Sequence, residues 1–515
     1  MDFSRLKTPP NHGDTLVEPV AGRLAALAAL NHEQLDVTGF RILDVSGSDV
    51  RREVRRSLGL PDETLAIVTG HRSEFIHPGV WAKHVVADRL AEAVSGTAVN
   101  LVVDSDAMRD TTLHVPTTAA GQLTVTAVPA ADAPPGFALE RVERMCADRL
   151  VRFERTLRSL LGERLERSMM PVYLKRLGDD DSGRDWVDQT TSARRAVENR
   201  LGVRVDDVRV GRAWGVPLLA EMIARAAEFA GGYNRALAEY RRCYRVRSAQ
   251  RPIPDLLVES DRVEVPAWVY RRGEPRRRLF VSARADVIEV FADRERLGAV
   301  ERSRLLHRTT TSEALAALEG VMFRPRALTL TLWARLFVAD LFIHGIGGAK
   351  YDRITDALIR DYFGVAPPAM ACVSATMHLD LPHHDVTANR LREARHRLRD
   401  LRYNPQRYVA VDGETATSLR QRAEAIALSR SLRNDHPAEH VRRRLAFETI
   451  RELSDRVLAI HPQVTGRLAR EVREMERHVW ENAIAGRRDC FFALFSREAL
   501  EMLLARLPGV GDFRL

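Results

Sequence analysis

Residues 63–106 read ETLAIVTGHRSEFIHPGVWAKHVVADRLAEAVSGTAVNLVVDSD, and this stretch decides the fold class. ETLAIVTG is a short apolar run closing on glycine, the pattern of a buried strand. HRSEF follows as a loop, and Pro78 suits the first position of a helix, where its missing N–H would have no partner. Val80, Val86, Leu90 and Val94 then recur at helical spacing, with Gly96 placed to end the helix. AVNLVVDSD is a second apolar run, ending in carboxylates. Strand, helix and strand in succession make a βαβ unit, which predicts two parallel strands joined by a right-handed crossover. FRILDV, near residue 40, is a candidate further strand.

Downstream the pattern changes. From about Phe137, Val142, Cys146, Leu150, Phe153, Leu157 and Leu160 follow a three-to-four spacing, and a second helical stretch runs from Gly215 to Tyr244. VEVPAWVY, RRLFVSA and DVIEVF, with RRGEP between the first two, alternate like short strands and predict a small β-rich insertion. LTLTLW and ACVSATMHLDL give strand signals on either side of the helical KYDRITDALIRDYF, a second α/β half, so the core is discontinuous in sequence. Beyond residue 385 no strand pattern remains. Ile450, Leu453, Val457 and Ile460 form one heptad-like seam and Leu468, Val472, Met475 and Val479 another, with Pro462 between them. They predict an antiparallel helical hairpin, either a bundle arm or a dimer coiled coil. The expected fold is a Rossmann-like, doubly wound parallel sheet with a small β-rich insertion and a C-terminal helical arm. Its expected parts are the first half of the core at 1–135, a helical region at 136–250, the β-rich subdomain at 251–300, the second core half at 301–384 and the arm at 385–515.

Composition narrows the function classes. A chain of 515 residues exceeds one ordinary core, and 45% hydrophobic with 29% charged residues describes a globular protein. MDFSRLKTPPNHGD lacks the apolar stretch of a signal peptide, so a cytoplasmic location is expected. The most apolar window, Ala327 to Gly348, contains Arg335 and Asp340, which argues against a membrane span and for a buried strand-and-helix segment. Cys146, Cys243, Cys372 and Cys490 fit no metal-ligand spacing and read as buried or free thiols. The net charge of +9 suggests nucleic acid, yet only Lys7, Lys83, Lys175 and Lys350 stand against 75 arginines (79 minus 4). Such a ratio reflects arginine bias over the whole chain, and the arginines alternate with Asp and Glu along helices, so nucleic acid is not an expected partner.

Three groups of residues could carry chemistry. Thr69, Gly70, His71, His77, Gly79 and Lys83 occupy the turn from strand to helix, where backbone N–H groups and a helix dipole favour phosphate or carboxylate. His71 and His77 are the proton-transfer candidates; alternatively His77 caps the helix and His84 is a surface residue. Asp104 and Asp106 share a face at the end of the next strand and could hold an amine, a ribose or a metal, or cap a turn. Arg324 precedes the apolar window, and His344, Gly345, Gly347, Gly348 and Lys350 follow it as a second glycine loop before a helix. Glycines there suit close approach of backbone to a ligand, or simply a tight turn. Two of the four lysines lie in these two loops, where a compact ammonium charge would be required.

These positions resemble the cysteine-adding enzymes of bacillithiol biosynthesis. That family's core begins with a strand ending Thr-Gly, then a glycine-bearing loop and a lysine-bearing helix, as at Thr69, Gly70, Gly79 and Lys83. It has two glutamines where this chain has His71 and Arg72, and a histidine in the acidic cluster where this chain has Ser105 between Asp104 and Asp106. An Arg-Pro pair and a double-glycine loop match Arg324-Pro325 and Gly347-Gly348. The resemblance follows most of the chain in order. It implies a ligase that joins an amino acid carboxyl to an amine of a small, sugar-linked acceptor, with an ATP- or ADP-type nucleotide in the cleft. On that basis Lys83, Lys350 and Arg324 would neutralise phosphate or carboxylate oxygens, and Asp104 or Asp106 would hold an amine or a metal. No metal ligand set is assigned. A homodimer through the C-terminal helices is the expected assembly if the seams form a coiled coil, and a non-catalytic nucleotide- or metabolite-binding relative is the alternative.

Overall fold

The computed structural model describes residues 3–513 apart from 38, 74, 108–110, 133, 180, 182, 249 and 437. It divides into two compact units, one of Met1–Thr117, Thr126–Leu379 and Arg488–Leu515, the other of Thr118–Val125 and Asp380–Arg487.

The two larger sheets of the first unit are built, in chain order, from β1 (Thr15–Glu18), β2 (Ala66–Arg72), β3 (Thr97–Val103), β4 (Asp206–Arg209), β5 (Val263–Arg271), β6 (Arg277–Arg284), β7 (Val287–Ala292), β8 (Glu295–Glu301), β9 (Val321–Pro325), β10 (Leu341–His344) and β11 (Met370–Ala375). The main sheet has the order β1–β11–β10–β2–β3–β4. All its neighbours are parallel except β1, which runs antiparallel to β11 along one edge. The chain therefore crosses from β2 to β3 in one direction and from β10 to β11 in the other, and β2 and β10 are neighbours, with Leu341 opposite Ile67 and Ile343 opposite Thr69.

Burial explains the sequence signal. Ala66, Ile67 and Val68 of β2 and Ala98 to Val102 of β3 are buried, so both strands read as continuous apolar runs rather than alternations. Helix α1 (Pro78–Ala93) starts at Pro78 as predicted and is buried around most of its circumference, at Trp81, Lys83, His84, Val85, Val86 and Leu90. Its end differs from expectation. Ser95, not Gly96, takes the left-handed conformation, at φ 49°. Gly96 is instead a point of close approach, since a Cβ there would lie 2.3 Å from the Leu65 carbonyl oxygen.

Other expectations are corrected. FRILDV forms only a two-residue ladder, Arg41–Ile42 with Val45–Ser46, outside the main sheet. The spacing that begins at Val142 becomes helical only at Ala147, with Phe153, Leu157 and Leu161 buried. LTLTLW is a helix, Ala327–Trp333, running into a π turn, and the strand lies beyond it at β10. Alternating Leu and Thr mimics a strand, but Leu328, Thr329, Leu330, Leu332 and Trp333 are all buried, so no polar face marks the period. Thr329 fixes the helix start by accepting from Arg326 N (3.0 Å) and donating to the Pro266 carbonyl (2.8 Å).

The β-rich region is a five-stranded antiparallel sheet, β8–β7–β6–β5–β9, whose apolar face joins the same core as the main sheet through Val265, Val269, Leu279, Ile288 and Val290. Arg335 and Asp340 of the apolar window are both buried and paired. Asp340 accepts from Arg51 (2.5 Å), Arg55 (2.8 Å) and Ala66 N (2.6 Å), and Arg335 donates to Asp352 and Asp356 (2.7 Å each). Among the described residues no helix is long and apolar enough to cross a membrane. The returning C-terminal segment completes this unit, with Phe492 stacked on Trp81 (5.4 Å between centroids) and Phe491 edge-on to Phe75 (5.1 Å).

The second unit is helical, with α2 (Ala388–Tyr403), α3 (Gly413–Asp435), α4 (His440–Ile460) and α5 (Pro462–Ala485). The two predicted seams do not pack on each other. That of α5 meets α2, where Val472, Met475 and Val479 pack with Leu391, Ala394 and Leu398. The α4 seam buries Leu453 and Val457 in a hairpin with α3, fastened by Thr415–His461 (2.9 Å) and Arg422–Ser454 (2.7 Å). One residue, His461, separates α4 from α5, too short a link to fold one back on the other.

Candidate functional site

Parallel strands deliver their following loops to one edge of the sheet, and the crevice between strands whose crossovers diverge is the usual ligand position. Here that position lies beyond β2 and β10. Thr69 is fully buried and donates to the Ile343 carbonyl (3.0 Å), which ties the two strands together. The carbonyl of Gly70 accepts from Lys83 Nζ at 2.7 Å. Lys83 is 3% exposed, and burial brings its ammonium down to about 8. Beside it on β11, burial pushes the Cys372 thiol up to about 12, against the opposing pull of Lys83 and Lys350. The lysines of the two glycine loops thus act on one buried thiol.

At the start of α1, His77 is the N-cap and its Nδ1 accepts from Gly79 N at 3.0 Å. Its neutral ring therefore carries the proton on Nε2, and burial next to Arg488 lowers it to about 4. A Cβ on Gly79 would lie 2.5 Å from the Ala375 carbonyl oxygen and 2.7 Å from Arg488 Nη2, so the helix start is closed by protein. Arg488 itself reaches Thr8 (2.7 Å), Ser374 (3.2 Å) and the Ala375 carbonyl (3.2 Å). His71 Nδ1 donates to the Arg72 carbonyl (3.0 Å), and burial together with Lys83 lowers it to about 3, a neutral ring throughout the physiological range. His84 is not a surface residue. It is 1% exposed, with Nδ1 2.7 Å from Glu198, and it lines a small cavity with His71, Ser73, Asn100 and Arg194.

Beyond β10, His344 Nε2 meets Asp352 at 2.9 Å, and Arg335 holds the Asp352 carboxyl well below the usual range against the effect of its burial. A Cβ on Gly348 would press on His344 Nδ1 at 2.8 Å, whereas Gly345 and Gly347 face open space. Tyr351, at the end of the short helix Ile346–Tyr351, is raised by burial and Asp352, and lies in the opposing fields of Arg72 and Asp106. Because β10 runs parallel to β2, the second glycine loop leaves the sheet at the same edge as the loop after β2.

Asp104 lies deeper, fully buried, accepting from Arg209 Nε (2.8 Å) and Gly211 N (2.7 Å); burial and then Glu140 raise it. Asp106 is half-exposed and accepts from Arg276 (2.8 Å). Arg324 grips Glu140 through two contacts of 2.9 and 3.0 Å, and so belongs with Asp104 rather than with the β10 loop. Glu140, Arg209, Arg276 and Arg488 are not singled out by sequence reasoning, and Cys372 is read there only as a buried or free thiol. Each is an ordinary residue in its local pattern, and only the sheet order gives it a neighbour with chemistry.

No protein-family model matches the chain, and no curated protein matches it. Function rests on the geometry. Beyond β10 the backbone at Gly345 and Gly347 is open, and at the ends of β2 and β3 Arg72 lies 3.6 Å from Asp106, which Arg276 also holds. Lys83, Asp104 and Arg324 are likewise held by protein partners.

Proposed function

We propose that this chain is a ligase-like enzyme of the cysteine-adding type, built on a doubly wound, Rossmann-like core and taking an ATP- or ADP-type nucleotide between β2 and β10. The carrying observation is that β2 and β10 are parallel neighbours, with Ile343 opposite Thr69, so the loops that follow them leave from the same edge of the sheet. In this reading the phosphates lie against Gly345 and Gly347, Lys350 and Arg72 neutralise them, and Asp106 receives the acceptor amine. Lys83, through Gly70, sets the end of β2. The product is an amide on a small, sugar-linked amine, in keeping with low-molecular-weight thiol synthesis. The helical unit exposes Leu428, Val441, Leu445 and Phe447, which supports a homodimer through those helices.

The neutral rings of His71 and His77 and the closed ion pairs of Asp104 and Arg324 favour a second reading, a nucleotide- or metabolite-binding relative without catalysis. Calorimetric titration with ATP and ADP tests what the two readings share. Binding should weaken at least tenfold in Lys350→Ala, and undiminished binding there would sink the site. Mass spectrometry after incubation with ATP, cysteine and a sugar-linked amine separates them, since nucleotide binding with no amide formed selects the second.

A further inference from the structure

The helical unit holds a second group of side chains with a chemistry of its own. On α5, His478 and Glu481 are three residues apart and share one face. The segment leading into α2 brings His384 to them, and one ligand atom from each of the three lies within 4.8 Å of the others. His384 Nε2 is 2.6 Å from Glu481 Oε2, and the two imidazoles stack with centroids 3.9 Å apart and planes 6° from parallel.

The supports are as specific as the ligands. Asn482, next to Glu481, accepts from the His384 backbone N–H (2.8 Å) and donates to the His384 carbonyl (2.8 Å), which fixes where that histidine stands. Glu481 is 4% exposed, and its Oε1 accepts from Leu123 N (3.1 Å), leaving Oε2 for the cluster. Ligand orientation by such outer hydrogen bonds is a regular property of metal centres. One more contact bears on charge. Arg477 Nη2 lies 3.1 Å from His478 Nε2, and because a guanidinium only donates, that nitrogen offers a lone pair to a cation. Arg477 is partly exposed and has Glu474 3.8 Å away as an alternative partner, so a metal ion can replace it.

We propose that His384, His478 and Glu481 bind one divalent transition-metal ion of the zinc class, through His384 Nε2, His478 Nε2 and Glu481 Oε2. Two imidazoles and a carboxylate suit that class, and three protein ligands leave a coordination position for water. The ion joins the 380–387 segment to α5.

The test uses the full chain, stripped with a chelator and with its thiols alkylated, because Cys146 and Cys243 are exposed and could take zinc themselves. Titration of Zn2+ against a chromophoric chelator should give one tight equivalent. His384→Ala and His478→Ala should each weaken it more than tenfold, and His383→Ala, at the exposed neighbour, should leave it unchanged. Co2+ should give visible d–d absorption that Glu481→Gln diminishes. Wild-type protein without a tight equivalent would overturn the site whatever the variants do, and so would His384→Ala or His478→Ala protein titrating like wild type.

Discussion

Lys83 Nζ donates to the Gly70 carbonyl across 2.7 Å, at the junction where α1 leaves the end of β2 and within the field of Cys372. The ammonium is enclosed on every side, and the strand end depends on it for a hydrogen bond. A compact charge survives here in a chain that otherwise uses arginine almost throughout.

Its pH dependence follows. The folded-state value is about 8 against 10.5 for the free side chain, so the unfolded chain binds more protons between those limits and stability rises with pH through that window. Lys83→Met lacks this rise. Denaturant unfolding at pH 7.5 and 10.5 should show the variant's stability, relative to wild type, falling by up to about 3 kcal/mol over the window. Parallel pH profiles would contradict a buried ammonium.

Asp340 satisfies Arg51 and Arg55 in a region closed to water. Asp340→Ala leaves two buried guanidinium groups without a carboxylate and should lower unfolding free energy by about 3–5 kcal/mol. Glu448→Ala, which removes only the exposed partner of Arg444, should cost no more than about 0.5 kcal/mol in the same urea titration.

The glycines divide by what a methyl group would meet. Gly79→Ala presses on the Ala375 carbonyl and Arg488, and should destabilise by about 1–3 kcal/mol. Gly347→Ala enters open space on a helix, and should be neutral or stabilising by up to about 1 kcal/mol in thermal unfolding. If nucleotide phosphates lie against this loop, the same variant should weaken ATP binding in calorimetry while its stability is kept.

Leu445 and Phe447 on α4 are more than half exposed. Light scattering of the wild-type chain should give a dimer mass, and Leu445→Glu with Phe447→Glu should give a monomer of unchanged helix content. A monomeric wild type would leave these side chains unexplained by self-association.

The βαβ unit was legible in sequence because strands buried on both faces, a Pro78 helix start and carboxylates at a strand end all leave local marks. Three strands of the small sheet were legible through their alternation, whereas β8 and β9 were not, and Val321–Pro325 is separated from its partner β5 by the whole of β6 to β8. LTLTLW misled because a fully buried segment has no polar stripe to show its period. The α4 and α5 seams were seen but wrongly paired, since heptad spacing gives a helix its sticky face without naming the neighbour. Of the site, the two glycine loops were visible. Arg488 and Glu140 were not, because their meaning comes from contacts made across hundreds of residues.

The placement of Phe491 and Phe492 has a consequence for how the protein is made. These rings fill the space beside Phe75 and Trp81, and the backbone N–H of Phe492 donates to the Ile76 carbonyl at 2.9 Å. During translation the nascent first unit must therefore wait, incompletely filled, while the whole helical arm is synthesised. Long-range closures of this kind slow folding and leave apolar surface open meanwhile. A ribosome stalled between residues 380 and 487 would therefore hold a first unit that still lacks its last core segment.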